Sequence, residues 1–343
     1  MDTRVAVISI IVEDNNSIET LNQLLYDARD YIIGRMGIPY REKKISIISI
    51  AIDAPQDIIS ALSGKSAALK EYRLRPHIPM SSHIRRKTMI KIAVYGKGGI
   101  GKSTTVSNIA VALAEKGLTV MQIGCDPKAD STIQLRHGQK MRTVLELYNE
   151  KKQNLRLEDM TMTGYQGVIC VEAGGPTPGL GCAGRGIITA LEKLKETGAY
   201  ETYKPDFVLY DVLGDVVCGG FSMPMRKGYA DKVFIITSGE NMAIHAGANI
   251  AMAVQNFKNR GYASLGGIIL NRRNVKREEE KVQELADDFE TTVVGKLTRS
   301  ELVAEAEEQG RTLMECYPDS EMAEEYRRLA EQIFDVCRED GLC

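Results

Sequence analysis

The segment Gly96-Lys97-Gly98-Gly99-Ile100-Gly101-Lys102-Ser103 constrains this chain more than any other, because it fits G-x-x-x-x-G-K-[ST] between an apolar run and a helical one. Glycines at those positions let backbone N–H groups turn inward around phosphate oxygens. The helix that follows aims its positive end at the same point. The pattern assigns Gly96 to Thr104 to a bound ATP or ADP, with Lys102 on the β and γ phosphates and the Ser103 hydroxyl on Mg²⁺. A glycine turn that binds nothing is the bland alternative, and it leaves the Lys-Ser pair unexplained.

Around this loop, apolar runs and helical periods alternate. Strands are expected at 91–95, 119–124, 167–171, 206–211, 232–237, 265–270 and 291–295, and helices at 102–116, 184–197, 241–258, 275–287, 299–309 and 318–338. The order implies an α/β P-loop NTPase, with a mostly parallel sheet covered by helices on both faces and ligands at the carboxyl ends of its strands. The 343 residues carry a net charge of −2, which points to neither nucleic acid nor a membrane. No run approaches the roughly 20 apolar residues of a spanning helix, and Met1 to Arg4 lead directly into a strand-like run without a signal peptide. The expected location is the cytoplasm, where thiols stay reduced and the seven cysteines become candidates for metal ligation.

Residues 1–64 read differently. Strands at 4–12 and 44–52 and helices at about 17–32 and 56–63 suit a small α+β domain. Residues 65–88 hold seven basic side chains against the single acid Glu71, with Pro76 and Pro79 and no period, and read as a basic linker. Residues 89–343 form the P-loop domain, with Met89 just ahead of its first strand.

Three strand ends in that domain carry candidate chemistry. Asp126, in Gly124-Cys125-Asp126-Pro127-Lys128-Ala129-Asp130-Ser131-Thr132, can orient an attacking water, although an ordinary Asp-Pro turn is the plain alternative. Asp211 closes the apolar strand Phe207–Tyr210 as a Mg²⁺-site acid, and the flexible Gly214-Asp215-Val216-Val217-Cys218-Gly219-Gly220 follows it. Cys182 lies in a second glycine-rich loop, 174–186. On spacing alone, two cysteines 36 residues apart are weak evidence, and buried free thiols are the better reading. Cys125, Cys170, Cys316, Cys337 and Cys343 read as ordinary thiols, and the four histidines form no ligand spacing.

Taken in combination, the GKGGIGKST, GCDPKADST, GLGCAGRG and DVLGDVVCGG segments resemble one family, the nitrogenase iron proteins and nitrogenase-like reductases, over residues 90 to about 334. The resemblance implies an ATP-dependent [4Fe-4S] electron donor that serves a nitrogenase-like catalytic component and is itself reduced by ferredoxin or flavodoxin. Cys182 and Cys218 become its cluster ligands. A [4Fe-4S] cluster takes four thiolates, so two per chain imply a homodimer sharing one cluster. Lys97, the second lysine of the loop, marks the deviant Walker group, whose lysine reaches the nucleotide of the other subunit. With Lys102, Asp126 and Asp211 it makes up the expected hydrolytic set. Asn271 is expected at the adenine edge, helped by Arg299 and Tyr326, and Arg185 at the docking surface. Leu297-Thr298-Arg299-Ser300-Glu301 replaces the Pro-Arg-Asp of nitrogenase iron proteins proper, and the chain stops at Cys343, which favours a nitrogenase-like branch. Residues 4–64 resemble small ACT-like, ferredoxin-like proteins described as iron-only hydrogenase system regulators, with the last strand of that fold hard to place in 65–80. Two rivals stand beside this reading. A partitioning ATPase would explain Lys97 but not the cysteine loops, and an iron–sulfur cluster carrier would be expected to show C-x-x-C near its C-terminus.

Overall fold

β-Branched residues dominate two runs near the start of the chain, and both are strands in the computed structural model, which describes residues 3–12, 18–40, 45–55, 58, 89–174, 183–214, 223–226, 228–258 and 262–339. The residues group into two units, Met1–Lys87 and Thr88–Cys343. In the first, β1 (Arg4–Val12) is followed by α1 (Ile18–Asp27), β2 (Ile32–Tyr40) and β3 (Ile45–Ala54). They form an antiparallel sheet of order β1-β3-β2. Alternate residues of β3, Ile48, Ile50, Ile52 and Ala54, are buried, as the period of a strand with one covered face requires. The α+β class expected for this unit holds, but its internal order needs correction. The helix expected to reach residue 32 ends at Asp27, and Ile32–Tyr40 is a strand. Gly34, Gly37 and Pro39 hide it in the sequence, since each lowers strand propensity; pairing along β3 outweighs them. The expected helix at 56–63 (Ile58 apart), the linker and the missing last strand lie outside the described residues.

The second unit is the expected α/β fold. β4 (Ile90–Tyr95), α2 (Lys102–Glu115), β5 (Val120–Cys125), α3 (Val144–Lys151), β6 (Met162–Thr163), β7 (Ile169–Glu172) and α4 (Ala183–Glu196) come first. β8 (Phe207–Val212), β9 (Lys232–Thr237), α5 (Asn241–Lys258), β10 (Ser264–Asn271), α6 (Glu278–Asp288), β11 (Val293–Leu297), α7 (Glu301–Glu308) and α8 (Glu321–Glu339) complete it. The eight strands run β11-β10-β9-β4-β8-β5-β7-β6, parallel except for β6 against β7. β6 and α3 lack any counterpart in the expectations. Alternation along β4 sends Ile92 and Val94 to one face with α2 and α8, and Ala93 and Tyr95 to the other with α3, α4 and α5. Both faces are covered, so the central strands are buried along almost their whole length, Lys91 excepted, and are mostly apolar. β4 continues into the glycine loop, and β5, β7 and β8 end at the same edge of the sheet. In register, Gly124 of β5 lies between Glu172 of β7 and Asp211 of β8.

Candidate functional site

The loop at 96–101 is bent by two requirements that only glycine meets. Gly101 takes φ +88 as the residue that caps α2, and a Cβ there would lie 2.7 Å from Asn271 Nδ2. A Cβ on Gly96 would lie 2.3 Å from the Ile236 carbonyl oxygen. Two side chains hold the loop from outside: Asn271 Nδ2 donates to the Ile100 carbonyl at 2.7 Å, and Arg273 Nη2 to the Gly99 carbonyl at 2.8 Å. The N–H groups of Gly98, Gly99 and Gly101 have no acceptor among the described residues. Free amides at the positive end of a 14-residue helix fit an anion such as phosphate.

A cavity of about 570 Å³ opens over this loop, within the usual range for a small-molecule site. It is lined by Gly98, Gly99, Gly101, Lys102, Ser103 and Thr104, by Asp126 and Asp130 from the turn after β5, and by Asn271, Arg299 and Tyr326. The geometry thus gathers most of the expected nucleotide residues around one space. Lys97 lines an adjoining depression instead, with Glu240, Arg273 and Arg299. Ile100 is buried beneath the loop and belongs to the core under α2. Asn271 serves as a brace for the loop through Ile100, in addition to facing the cavity.

Electrostatically the centre is Lys102. Its Nζ lies 3.2 Å from Asp211 Oδ1, and both side chains are withdrawn from solvent. Asp211 Oδ2 accepts a short hydrogen bond from Ser131 Oγ, whereas the buried Oδ1 makes no hydrogen bond. A buried carboxylate oxygen left to a single lysine is donor chemistry suited to a hydrated Mg²⁺. Asp126 Oδ1 accepts from the Lys128 N–H at 2.8 Å, which closes the turn and puts Ala129 at φ +55. The Asp-Pro turn and the cavity-facing carboxylate are therefore both present. Behind Asp211, Gly214 lies flat on the phosphate loop: a Cβ there would be 2.2 Å from the Gly96 carbonyl oxygen and 2.8 Å from the Gly98 nitrogen.

Several participants had no sequence signal. Glu307 Oε1 accepts from Thr104 Oγ1 at 2.5 Å and from Gln134 Nε2 at 3.0 Å, yet on the chain it is one glutamate among several in a helical run. Ser131, Gln122 and Glu172 form a polar group under the turn that apolar periodicity cannot announce. Cys182, Cys218 and the Arg185 side chain lie outside the described residues. Among the described cysteines, Cys125 and Cys170 are buried and their thiols are pushed up by burial, Cys170 to about 12, which suits packing rather than ligation. No group of three or more potential ligands is gathered among the described residues. No described helix is long and apolar enough to cross a membrane.

Comparison with known proteins adds the following. The family model for 4Fe-4S iron sulfur cluster binding proteins of the NifH/frxC family matches residues 90–339. A TM1266-like model, described as an iron-only hydrogenase system regulator, matches residues 4–75. A nitrogenase iron protein of Methanococcus voltae is 49% identical over 248 residues, which cover 72% of this chain and 89% of the relative. One from Methanospirillum hungatei is 50% identical, covering 71% and 88%. Among solved structures, the cell division ATPase MinD of Pyrococcus furiosus superposes with a TM-score of 0.57 at 22% identity, covering 72% of this chain and 99% of that one. MinD of Pyrococcus horikoshii, complexed with Mg-ADP, gives 0.56 at 23%, covering 74% and 97%. These structural likenesses bear on the fold.

Proposed function

The chain belongs to the NifH/frxC family of 4Fe-4S iron–sulfur cluster binding proteins, and from that premise we propose that residues 89–343 work as an ATP-driven homodimeric electron donor to a nitrogenase-like catalytic component. Its cofactors are those of the family, a [4Fe-4S] cluster and ATP or ADP with Mg²⁺. When bound, the cluster supplies one-electron transfer at a potential set by charge, hydrogen bonds to sulfur and exposure.

The chain's own residues do the rest. Gly98, Gly99 and Gly101 offer backbone N–H groups to the phosphates, and Lys102 balances their charge. Ser103 and Asp211 hold Mg²⁺, while Asp126 orients water for hydrolysis. Asn271, Arg299 and Tyr326 bound the base. Lys97, which lines a depression beside its own cavity, serves the nucleotide of the second subunit. Cys182 and Cys218 from each chain hold the cluster between two copies. The upstream electron donor would be a ferredoxin or flavodoxin. The division into a regulator-like domain at 1–64, a basic linker at 65–88 and the reductase at 89–343 is part of the same reading.

One observation carries the coupling of nucleotide to cluster. Gly214 touches the phosphate loop through backbone atoms alone, and only three residues separate it from Cys218. A loop that tightens around phosphate must move Gly214, because no flexible side chain lies between to absorb the shift.

The test is purification without oxygen, followed by iron and mass analysis. Two chains should carry about four iron atoms, and Cys182→Ala or Cys218→Ala should remove them while nucleotide binding stays measurable. A colourless protein with full ATP turnover would favour the partitioning ATPase instead. Iron that survives either substitution would remove that cysteine from the ligand set.

A further inference from the structure

Beneath the turn at 126–132 lies a group of buried polar side chains that the nucleotide site does not use. Glu172 is the last residue of β7 and is fully withdrawn from solvent. Its Oε1 accepts two hydrogen bonds from one residue, from the Thr132 N–H at 2.7 Å and the Thr132 hydroxyl at 2.6 Å. Arg136 completes a triangle, with Nε donating to Thr132 Oγ1 at 3.1 Å and Nη2 standing 3.6 Å from Glu172 Oε1. The other oxygen, Oε2, has no hydrogen bond and rests against Gly124, where a Cβ would be only 2.0 Å away. The preceding residue, Ser131, donates to Asp211, and Gln122 Nε2 holds Ser131 from below at 3.1 and 3.2 Å. Two adjacent residues of one turn are therefore tied to two acids, Asp211 at the end of β8 and Glu172 at the end of β7.

We propose that Glu172 is a positioning residue that ties the 126–132 turn to the strand leading into the Cys182 segment, so that movement of the turn at the nucleotide is passed to that segment through the Thr132–Glu172 hydrogen bonds. The proposal rests on the function proposed above and extends it to the second thiol-bearing segment. Three features support it. A bidentate grip on one oxygen transmits displacement better than a single hydrogen bond, because Thr132 cannot slide without breaking one of the two. The site is dry, so releasing the grip strands a buried carboxylate, which makes the linkage costly to break. Finally, Gly174, two residues beyond Glu172, takes φ +79 with Thr143 filling the space a side chain would need, which holds the chain's exit from β7 in one direction.

Glu172 is faced by Arg136 from the turn after the loop, Asp211 from β8, Cys125 from β5 and Cys170 from its own strand. Burial pushes its carboxyl up to about 7, against the pull of Thr132 and Arg136. Around neutral pH the grip therefore changes character, because protonation removes the attraction to Arg136 but leaves Oε1 an acceptor.

The experiment uses the full chain, purified without oxygen, and follows removal of iron by a chelator with no nucleotide, with MgADP and with MgATP. In the wild type, MgATP is expected to change the removal rate. Glu172→Ala is expected to keep its iron and to bind nucleotide within about threefold of wild type, while the MgATP-dependent change shrinks by about tenfold, the equivalent of a lost buried hydrogen bond. Glu172→Gln keeps an oxygen for Thr132 and should retain most of the response, with its variation between pH 6 and 8 flattened. A Glu172→Ala chain with iron, nucleotide and the full response would overturn the proposal. Should that variant fail to fold, Thr132→Val removes only the hydroxyl: a weakened response supports the linkage, and an unchanged one overturns it. A wild type without iron, or with iron indifferent to MgATP, would instead refute the underlying function.

Discussion

Lys102 and Asp211 form a nearly dry ion pair, and such a pair is poor stabilisation because desolvation consumes most of the Coulomb gain. Its use is to be broken. In the proposed function, phosphate competes for Lys102 and a divalent cation for Asp211, so binding both would exchange one set of opposite charges for another. Asp211→Asn should therefore weaken Mg-nucleotide binding by at least about tenfold, with a smaller effect on nucleotide without Mg²⁺, as read by titration calorimetry with and without a chelator. Glu172 gives a second prediction. A carboxyl raised to about 7 in the folded chain from an unfolded value near 4.3 binds its proton more tightly when folded. Its contribution is favourable below the unfolded value and is lost as pH rises through about 7. At higher pH the buried charge costs up to about 4 kcal/mol, from 1.36 kcal/mol per unit. The wild type should thus lose stability between about pH 4.5 and 7 relative to Glu172→Gln, as measured by denaturant unfolding of both. A stability difference constant with pH would show that Glu172 does not titrate there. Asp211 was legible in the sequence because it ends an apolar strand. Glu172 also ends one, but nothing in its neighbours names the threonine 40 residues earlier that it meets.

At the scale of elements, periodicity served well wherever one element packs against several others. The seven strands expected in the second unit and the six helices all exist within a few residues, because buried parallel strands and amphipathic helices carry their burial in their pattern. It failed where pairing overrode propensity, as in β2 with its two glycines and proline, and where an element is short, as in β6 and α3. The phosphate loop was readable because its glycines answer backbone requirements that any nucleotide loop shares. Its braces were not, since Asn271 ends β10 and Arg273 follows it, 171 and 174 residues from the carbonyls they hold. Two glycine substitutions test the packing. Gly214→Ala would drive a methyl into the Gly96 carbonyl and should lower nucleotide affinity by about tenfold or more, with the fold intact by circular dichroism. Gly124→Ala would press on Glu172 Oε2 at 2.0 Å and on Ser131 Cβ at 2.6 Å, and should destabilise the chain by about 1–3 kcal/mol in chemical unfolding, the usual range for overpacking. An unaffected Gly214→Ala would mean that the loop and the Cys218 segment move independently.

For the whole molecule, chain arithmetic governs. With Cys182 and Cys218 as the proposed ligands, a four-thiolate site is half built in a monomer, so iron content and dimer mass should fall together when either cysteine is replaced, as followed by light scattering with iron analysis. The strand order carries a kinetic consequence of its own. β5 is flanked by β7 on one side and β8 on the other, which sets the exits toward the two thiol segments about 10 Å apart, two strand spacings, with the 126–132 turn rising from between them. A hinge placed midway between two doors swings both. A stopped-flow record of MgATP addition should then show one relaxation, not two, for reporters placed near either thiol.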